Sequence, residues 1–146
     1  MPLPKPEPGL VIRYSHLWLS EFLAGREEGV KDRPCAIIVA IQEEPDKEQR
    51  ILVLPVTHRK PSCPEWAIEI PPAIKRHLGL DGEQSWIILN ESNEFTWPGP
   101  DLRIVPGRDE NSVAYGFLPP NFFAKIQAAF MALVQKNSAQ HVKRTE

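Results

Sequence analysis

The sequence predicts a mainly β domain, built as a small barrel or half-barrel with one short helix and a C-terminal α-helix. Several short apolar segments are separated by turn-forming residues, which is typical of the strands of a small barrel. Near the C-terminus the apolar residues recur at helical spacing instead. The chain has 16 prolines among its 146 residues. Because proline breaks helix interiors and central strands, we expect short elements and many loops.

The strands are predicted from short runs of β-branched and aromatic residues. They are Leu10–Tyr14, Cys35–Ile41, Ile51–Thr57, Trp66–Ile70 and Ser85–Leu89, with weaker candidates at Leu102–Val105 and Val113–Phe117. The charged segment 43–48 separates two of them, so residues 35–56 are expected to form a hairpin. The long connection from Ser15 to Asp32 is expected to contain a helical turn at Leu17–Leu23.

Two helices are predicted. Residues Pro71–His77 read as a short helix that begins at a proline and ends at Gly79. A longer helix is predicted over about 120–136, where apolar residues share one face. These are Phe122, Phe123, Ile126, Ala129, Phe130, Leu133 and Val134. The simplest interpretation of this stripe is a core face.

The two ends of the chain are polar or rich in proline. Residues 1–9 alternate proline with other residues and predict an extended, mobile arm. Residues 137–146 lack a period and predict a frayed polar tail, which leaves one domain at 10–136. The longest apolar run, Cys35–Ile41, is far shorter than the ~20 residues of a membrane span. No signal-peptide core is visible, so a cytoplasmic protein is expected.

Composition excludes several classes of site. The net charge is −2 at pH 7, which argues against a surface that binds nucleic acid through overall positive charge but allows a local basic site. Cys35 and Cys63 form no CxxC pair, so a disulfide framework or a Cys-rich zinc site is excluded. Glycine-rich phosphate loops and the common hydrolase motifs are absent. We expect neither a metal nor a cofactor.

The polar segment Thr57-His58-Arg59-Lys60 follows a predicted strand and gathers a hydroxyl, an imidazole and two cations. Arg33 begins the neighbouring strand of the hairpin, so Arg33 and Thr57 are expected to share one rim. An arginine there suits a phosphate, because its guanidinium is a permanently charged fork. The alternative is that Arg33 pairs with an acid such as Asp32 or Glu27.

A second polar segment, Asn90 to Glu94, follows the strand at 85–89. A carboxylate near a cation and a hydroxyl, such as that of Glu91, can serve as a general base. The alternative is an ordinary polar loop.

The order of these segments resembles the MazF/PemK toxins of bacterial toxin–antitoxin systems. The resemblance rests on Arg33-Pro-Cys-Ala-Ile-Ile-Val39, a charged turn, and Leu54-Pro-Val-Thr57. The segments Gly9–Ile12, Ala24–Gly29 and Gly79-Leu80, with the strand at 85–89 and the C-terminal helix, extend it over about 10–135. It implies an SH3-like barrel of the CcdB/MazF/PemK type, usually a homodimer.

The resemblance also implies an activity. Members of the family cleave single-stranded RNA without a metal: the ribose 2′-hydroxyl attacks the adjacent phosphate and leaves a 2′,3′-cyclic phosphate and a 5′-hydroxyl. The implied partners are single-stranded RNA and a cognate antitoxin, whose acidic tail covers the RNA groove and with which the toxin binds operator DNA.

The family's functional residues carry over in part. Arg33 matches an arginine that contacts the scissile phosphate or acts in acid catalysis, and Thr57 matches a threonine that contacts the transition state or the phosphate. Glu91 falls near an aspartate that acts as a base or contacts RNA. The resemblance thus implies that these three are the catalytic residues. Substrate contacts are expected from the remaining polar residues of these segments. They are Arg26, His58, Arg59, Lys60 and Asn90.

Leu89 stands where PemK-type members carry a second catalytic arginine. The alternative hypothesis is therefore a diverged, non-catalytic barrel that binds nucleic acid or an antitoxin-like peptide. The aromatic residues Trp18, Trp66, Trp86 and Trp97 could stack on bases in such a protein. A third hypothesis is an SH3-like protein-interaction module that has no role with nucleic acid.

Overall fold

A computed structural model describes residues 3–26, 29, 31–42, 48–108 and 111–144. Most of the charged turn predicted at 43–48 lies outside these ranges. The elements follow the predicted order, with two strands that the sequence did not indicate. They are β1 (Leu10–Tyr14), α1 (Leu19–Leu23), β2 (Arg33–Ile41), β3 (Arg50–Thr57), β4 (Ala67–Glu69), α2 (Pro72–Leu78), β5 (Trp86–Ile88), β6 (Glu91–Thr96), β7 (Ala114–Phe117), α3 (Pro120–Gln135) and β8 (Gln140–Lys143).

The strands form one eight-stranded sheet, which confirms a mainly β protein with few helices. The main path runs β4-β5-β3-β2-β1-β7, while β6 pairs with β3 and carries β8 on its other side. All pairs are antiparallel except β6 with β8. The predicted hairpin is β2–β3, with Cys35 opposite Pro55. Within the described ranges no pairing closes the sheet into a barrel.

Both faces of the central strands are buried, which explains their nearly continuous apolar sequences. On one face the C-terminal helix α3 contributes Ile126, Phe130 and Leu133 to a cluster with Val11 and Leu54. The predicted core face of α3 is therefore confirmed, although Val134 at its edge is exposed. On the other face a second cluster surrounds the stacked rings of two residues, Tyr14 and Phe95.

The strand β6 was not expected, because its sequence Glu-Ser-Asn-Glu-Phe-Thr reads as a polar loop. Asn93 is fully buried, and its side chain exchanges hydrogen bonds with the backbone N–H and C=O of Leu17, each 2.8 Å long. A buried amide of this kind is indistinguishable from a loop amide in a single sequence, because only its tertiary partners satisfy it. The polar-loop interpretation of 90–94 is wrong for Glu91–Glu94, which are strand residues.

The C-terminal segment also differs from expectation. Residues Gln140–Lys143 form β8 along β6, where the sequence predicts a frayed tail. Arg144 follows, and its side chain is buried. At the other end of the chain, the backbone N–H of Gly9 donates a hydrogen bond to the carbonyl of Ile37 at 2.8 Å. The last residue of the arm predicted at 1–9 is therefore bound to the sheet.

Two strand predictions, the weaker one at 102–105 and the one at 66–70, are corrected in detail. Leu102–Val105 contributes only an isolated bridge between Leu102 and Tyr14, not a strand. Trp66 lies in a 3₁₀ turn, Pro64–Trp66, so that β4 begins one residue later than predicted. None of the helices in the described ranges has the length and apolarity needed to cross a bilayer.

Candidate functional site

A cleft of about 970 Å³ opens where β2 begins and β3 ends. The antiparallel pairing of these strands places Arg33, at the start of β2, beside the end of β3, where Thr57 lies. Both residues line the cleft, as do His58 and Arg59. The hairpin thus brings Arg33 beside the polar segment that begins at Thr57, as the sequence predicts.

The cleft carries an excess of positive charge. Its described lining contains five arginine or lysine side chains and two carboxylates. They are Arg13, Lys31, Arg33, Arg59 and Arg108, against Asp32 and Asp81. In a chain whose formal net charge is −2, this excess is a local feature, which attracts anions to the concave surface.

Arg33 is oriented by its neighbours rather than by an acid. Its guanidinium lies 5.1 Å from the centroid of the Trp18 ring, and Nη1 donates to the carbonyl of Val56 at 3.5 Å. Nε is buried and has no hydrogen-bond partner among the described residues. The expected partner Asp32 instead contacts Nε of Arg103 at 3.5 Å, and Glu27 lies outside the described residues. The pairing of Arg33 with Asp32 is therefore wrong.

A neutral histidine packs behind this arginine. His16 is 1% exposed, and neither ring nitrogen has a partner among the described residues. Burial, together with the charges of Arg33 and Arg144, lowers the pKa of His16 well below its usual value. The ring meets Trp18 edge-on at 4.9 Å between centroids. An uncharged imidazole here supports the tryptophan without adding positive charge beside Arg33.

The segment after β3 turns sharply at the rim of the cleft. The hydroxyl of Thr57 accepts a hydrogen bond from the backbone N–H of Arg59 at 3.2 Å, a turn that threonine commonly stabilises. This turn exposes the side chains of His58 and Arg59 toward the cleft. Lys60 is exposed but is not among the lining residues.

His58 contacts two carboxylates that follow α2. Its Nε2 lies 2.8 Å from Oδ2 of Asp81, with hydrogen-bond geometry, and its Nδ1 lies 3.3 Å from Oε2 of Glu83. The ring is half exposed, and the Glu83 side chain is 73% exposed. The firm contact of His58 is therefore with Asp81.

Asp81 is in turn held by a buried lysine. Nζ of Lys75 donates to Oδ1 of Asp81 at 2.9 Å, to the hydroxyl of Ser85 at 2.7 Å, and to the carbonyl of Glu83. Partial burial would raise the pKa of Asp81, but the Lys75 hydrogen bond, a backbone hydrogen bond and the nearby charges outweigh it and lower that pKa. Asp81 is consequently an ionised hydrogen-bond acceptor at neutral pH.

The far wall of the cleft is attached to the end of α2. Arg108 donates to the carbonyl of Leu78 at 2.7 Å and so satisfies a backbone group that the helix end leaves open. Gly79 ends the helix at φ +72°, and a Cβ there would lie 2.8 Å from Nη2 of Arg108. The left-handed backbone favours glycine at this position, and any larger residue would displace the end of the Arg108 side chain.

The other predicted site residues lie elsewhere. Oε1 of Glu91 accepts from the backbone N–H of Leu19 at 2.8 Å, and Glu91 is not among the residues lining the cleft. Burial raises the pKa of Glu91, and the charge of Glu21 adds to the shift. The backbone carbonyl of Asn90 accepts a hydrogen bond from the backbone N–H of Gln140 at 2.8 Å.

Arg26 and Leu89 also lie apart from the cleft lining. Arg26 is exposed, with Nε 3.9 Å from a carboxylate oxygen of Glu21. Leu89 is 1% exposed and packs in the hydrophobic cluster to which α3 contributes. Sequence reasoning missed Lys75, Asp81 and Arg108 as parts of the site, although a lysine in the last turn of a helix before Gly79 was a usable signal.

Comparisons with known proteins add no assignment. No protein-family model matches the chain, and no curated protein matches it in sequence.

Proposed function

We propose that the chain is a metal-independent endoribonuclease that cleaves single-stranded RNA in the cleft beside Arg33, and that it acts as the toxin of a type II toxin–antitoxin pair. The single observation that carries the proposal is the environment of Arg33. It is a cation in a positively charged cleft, held by Trp18 and Val56, with no ion pair to a described carboxylate.

An arginine held in this way suits a phosphodiester. The guanidinium is pre-oriented, so little conformational entropy is lost when it binds an anion. The neighbouring hydroxyl of Thr57 and the cation of Arg59 line the same cleft. Trp18 presents an aromatic surface at the edge, and such surfaces stack on unpaired bases at ~1–3 kcal/mol per base.

The proposed chemistry follows from the family that the sequence resembles. The ribose 2′-hydroxyl attacks the phosphorus, the bond from phosphorus to the 5′-oxygen breaks, and Arg33 stabilises the charge that develops on the phosphate oxygens. The same proposal includes an SH3-like barrel fold, a homodimer, and an antitoxin whose acidic segment occupies the cleft.

The test uses the purified full chain with a long single-stranded RNA, in the presence and absence of EDTA, and maps the new ends. Site-specific cuts that persist in EDTA and carry 5′-hydroxyl ends are expected. Arg33→Ala should lose at least ~100-fold in cleavage rate, since one donor to a developing oxyanion contributes ~10²–10³-fold. The control is Arg76→Ala, an exposed arginine of α2 outside the cleft lining.

A second candidate function is binding of single-stranded nucleic acid without cleavage. The positions of Leu89 and Glu91 favour it, because one is buried in the core and the other is bound to the backbone of Leu19. RNA that is bound tightly in an Arg33-dependent manner but stays intact across many sequences would support this candidate and contradict the nuclease.

A further inference from the structure

We infer that His58 is the general base of this cleft and that Asp81, itself fixed by buried Lys75, is its positioning residue. The inference rests on the proposed ribonuclease function and supplies the proton acceptor that Glu91 does not. It also assigns a role to three side chains on separate segments, the β3 end, α2 and the loop after α2.

The donor and the acceptor of the hydrogen bond between His58 and Asp81 can be assigned. An ionised Asp81 can only accept, so the Nε2 atom of His58 carries the proton that it shares with Asp81 at 2.8 Å. This leaves Nδ1 to exchange a proton with substrate. The arrangement is that of a histidine whose tautomer and ring orientation are set by a carboxylate on its other nitrogen.

Asp81 is rigid because its second oxygen is bound by a buried cation. Lys75 is 5% exposed and contacts Oδ1 of Asp81 and the hydroxyl of Ser85 at once. A surface carboxylate without such an anchor would sample several rotamers. Glu83, which faces Nδ1 at 3.3 Å, is by contrast highly exposed and can swing into solvent when RNA enters.

The proposed step is balanced. Nδ1 of His58 takes the proton of the 2′-hydroxyl as the 2′-oxygen bonds to phosphorus and the bond from phosphorus to the 5′-oxygen breaks. The departing 5′-oxygen takes a proton from water, and the imidazolium returns its proton to the hydroxide that remains. The products are a 2′,3′-cyclic phosphate and a free 5′-hydroxyl.

A divalent cation held by His58, Asp81 and Glu83 is the competing interpretation, since their ligand atoms lie within 4.8 Å of one another. The ammonium of Lys75, 2.9 Å from Oδ1 of Asp81, opposes it by charge. With Lys75 present, a further cation on the same carboxylate would meet a buried like charge.

The test compares single-turnover cleavage by wild type, His58→Ala and Asp81→Asn, with His77→Ala as the control because His77 is exposed on α2 and outside the cleft lining. His58→Ala should lose ~10²–10⁴-fold in rate, the usual contribution of acid–base catalysis, with RNA affinity changed less than about threefold. Added imidazole should restore part of the rate to His58→Ala but none to Arg33→Ala.

Asp81→Asn should lower the rate of RNA cleavage while leaving RNA affinity unchanged. The acidic limb of its pH–rate profile should also lie at a different pH from that of wild type. Among the described residues, the charged groups that contact His58 are Asp81 and Glu83, and Lys75 binds Asp81 in turn. Glu83→Gln is therefore measured in parallel to show that the displacement is specific to Asp81.

Full activity of His58→Ala, or a loss confined to RNA affinity, would overturn the inference while an inactive Arg33→Ala leaves the proposed function standing. Cleavage that requires added Mn²⁺ and disappears in EDTA would overturn the inference in favour of a metal site, and it would also contradict the metal independence of the proposed function. Wild type that cuts no RNA would overturn the proposed function and the general base together.

Discussion

Three arginines of the described ranges lie over aromatic rings at nearly the same distance, and two of them, Arg33 and Arg144, have opposite surroundings. Arg33 lies 5.1 Å from the Trp18 centroid and Arg144 lies 5.4 Å from that of Tyr14. Arg144 is 2% exposed and pairs with Asp101 at 2.9 Å. Arg33 lines an open cleft and has no ion pair to any carboxylate of the described ranges.

The hydrogen bonds of the two guanidinium groups also differ. Arg144 also donates to the Tyr14 hydroxyl at 3.1 Å, the Ser15 carbonyl at 2.8 Å and Oδ1 of Asn93 at 3.1 Å. Arg33 donates to one carbonyl at 3.5 Å and leaves a buried Nε without a described partner. A guanidinium with its donors satisfied holds a fold together, whereas one that is oriented but incompletely bonded is suited to bind an anion.

The surroundings of Arg144 and of Arg33 are connected through the segment that contains Leu17 and Trp18. Asn93 contacts Arg144 and both backbone polar groups of Leu17, and Leu17 precedes Trp18, which lies under Arg33. The C-terminal strand β8, through Arg144, therefore helps to position the aromatic wall of the cleft.

Replacing the buried arginine should have the largest effect. Arg144→Met removes the cation that pairs with the buried carboxylate of Asp101, which should lower the free energy of unfolding by about 3–5 kcal/mol. Urea denaturation monitored by tryptophan fluorescence measures the change. The double variant with Asp101→Asn should recover part of the loss, because it also removes the buried negative charge that Arg144 neutralises. A cost below 1 kcal/mol for Arg144→Met would show that this pair is not structural.

Asn93→Ala should affect both regions. Its loss leaves the N–H and C=O of Leu17 without their partners, at a cost of about 1–3 kcal/mol for an unsatisfied buried group. RNA affinity should also fall, because Trp18 loses its support. The neighbouring Ser92→Ala, which removes a single 3.4 Å hydrogen bond, is the control. Lower stability with unchanged affinity would separate the two regions.

Arg33→Met is the counterpart of Arg144→Met in the cleft. We expect a change of less than about 1 kcal/mol in the free energy of unfolding, since Arg33 leaves no described carboxylate unpaired. RNA binding measured by fluorescence anisotropy should weaken at least tenfold in the same variant, and its dependence on salt concentration should become less steep. Equal destabilisation by the two Arg→Met changes would remove the distinction between them.

Two carboxylates of β6 should show small effects of opposite sign. Burial raises the pKa of Glu91, whereas Arg50 and His141 outweigh burial and lower that of Glu94. At neutral pH, Glu91→Gln should therefore raise the melting temperature and Glu94→Gln should lower it. The Glu94 contribution is lost as pH falls through its folded pKa, and the Glu91 penalty disappears as that carboxyl is protonated.

Melting curves of wild type and both variants between pH 7 and pH 3 check this prediction. The Glu91 difference should vanish as pH falls below the pKa of glutamate in the unfolded chain, about 4.3, whereas the Glu94 difference should persist to lower pH because the folded pKa of Glu94 is lowered. Differences of the same sign at neutral pH would contradict the assigned environments.

The sequence alone determined most of the secondary structure. Apolar runs located β1, β2, β3 and β5, the helical period located α3, and Pro71 with Gly79 bounded α2, because these signals act within a few residues. The hairpin also followed from the sequence, and with it the common cleft of Arg33 and Thr57. Local propensity and antiparallel pairing are enough for such conclusions.

The roles of the polar residues, by contrast, follow from contacts between segments that are distant in the chain. Glu91 and Asn93 belong to one polar stretch, yet one binds a loop N–H and the other is buried between Leu17 and Arg144. Lys75 and Asp81 are ordinary surface types in the sequence, and they become an anchor and a carboxylate beside His58 only after α2 packs against the sheet. Whether a charged side chain is structural or available depends on partners distant in the chain, which no local pattern encodes.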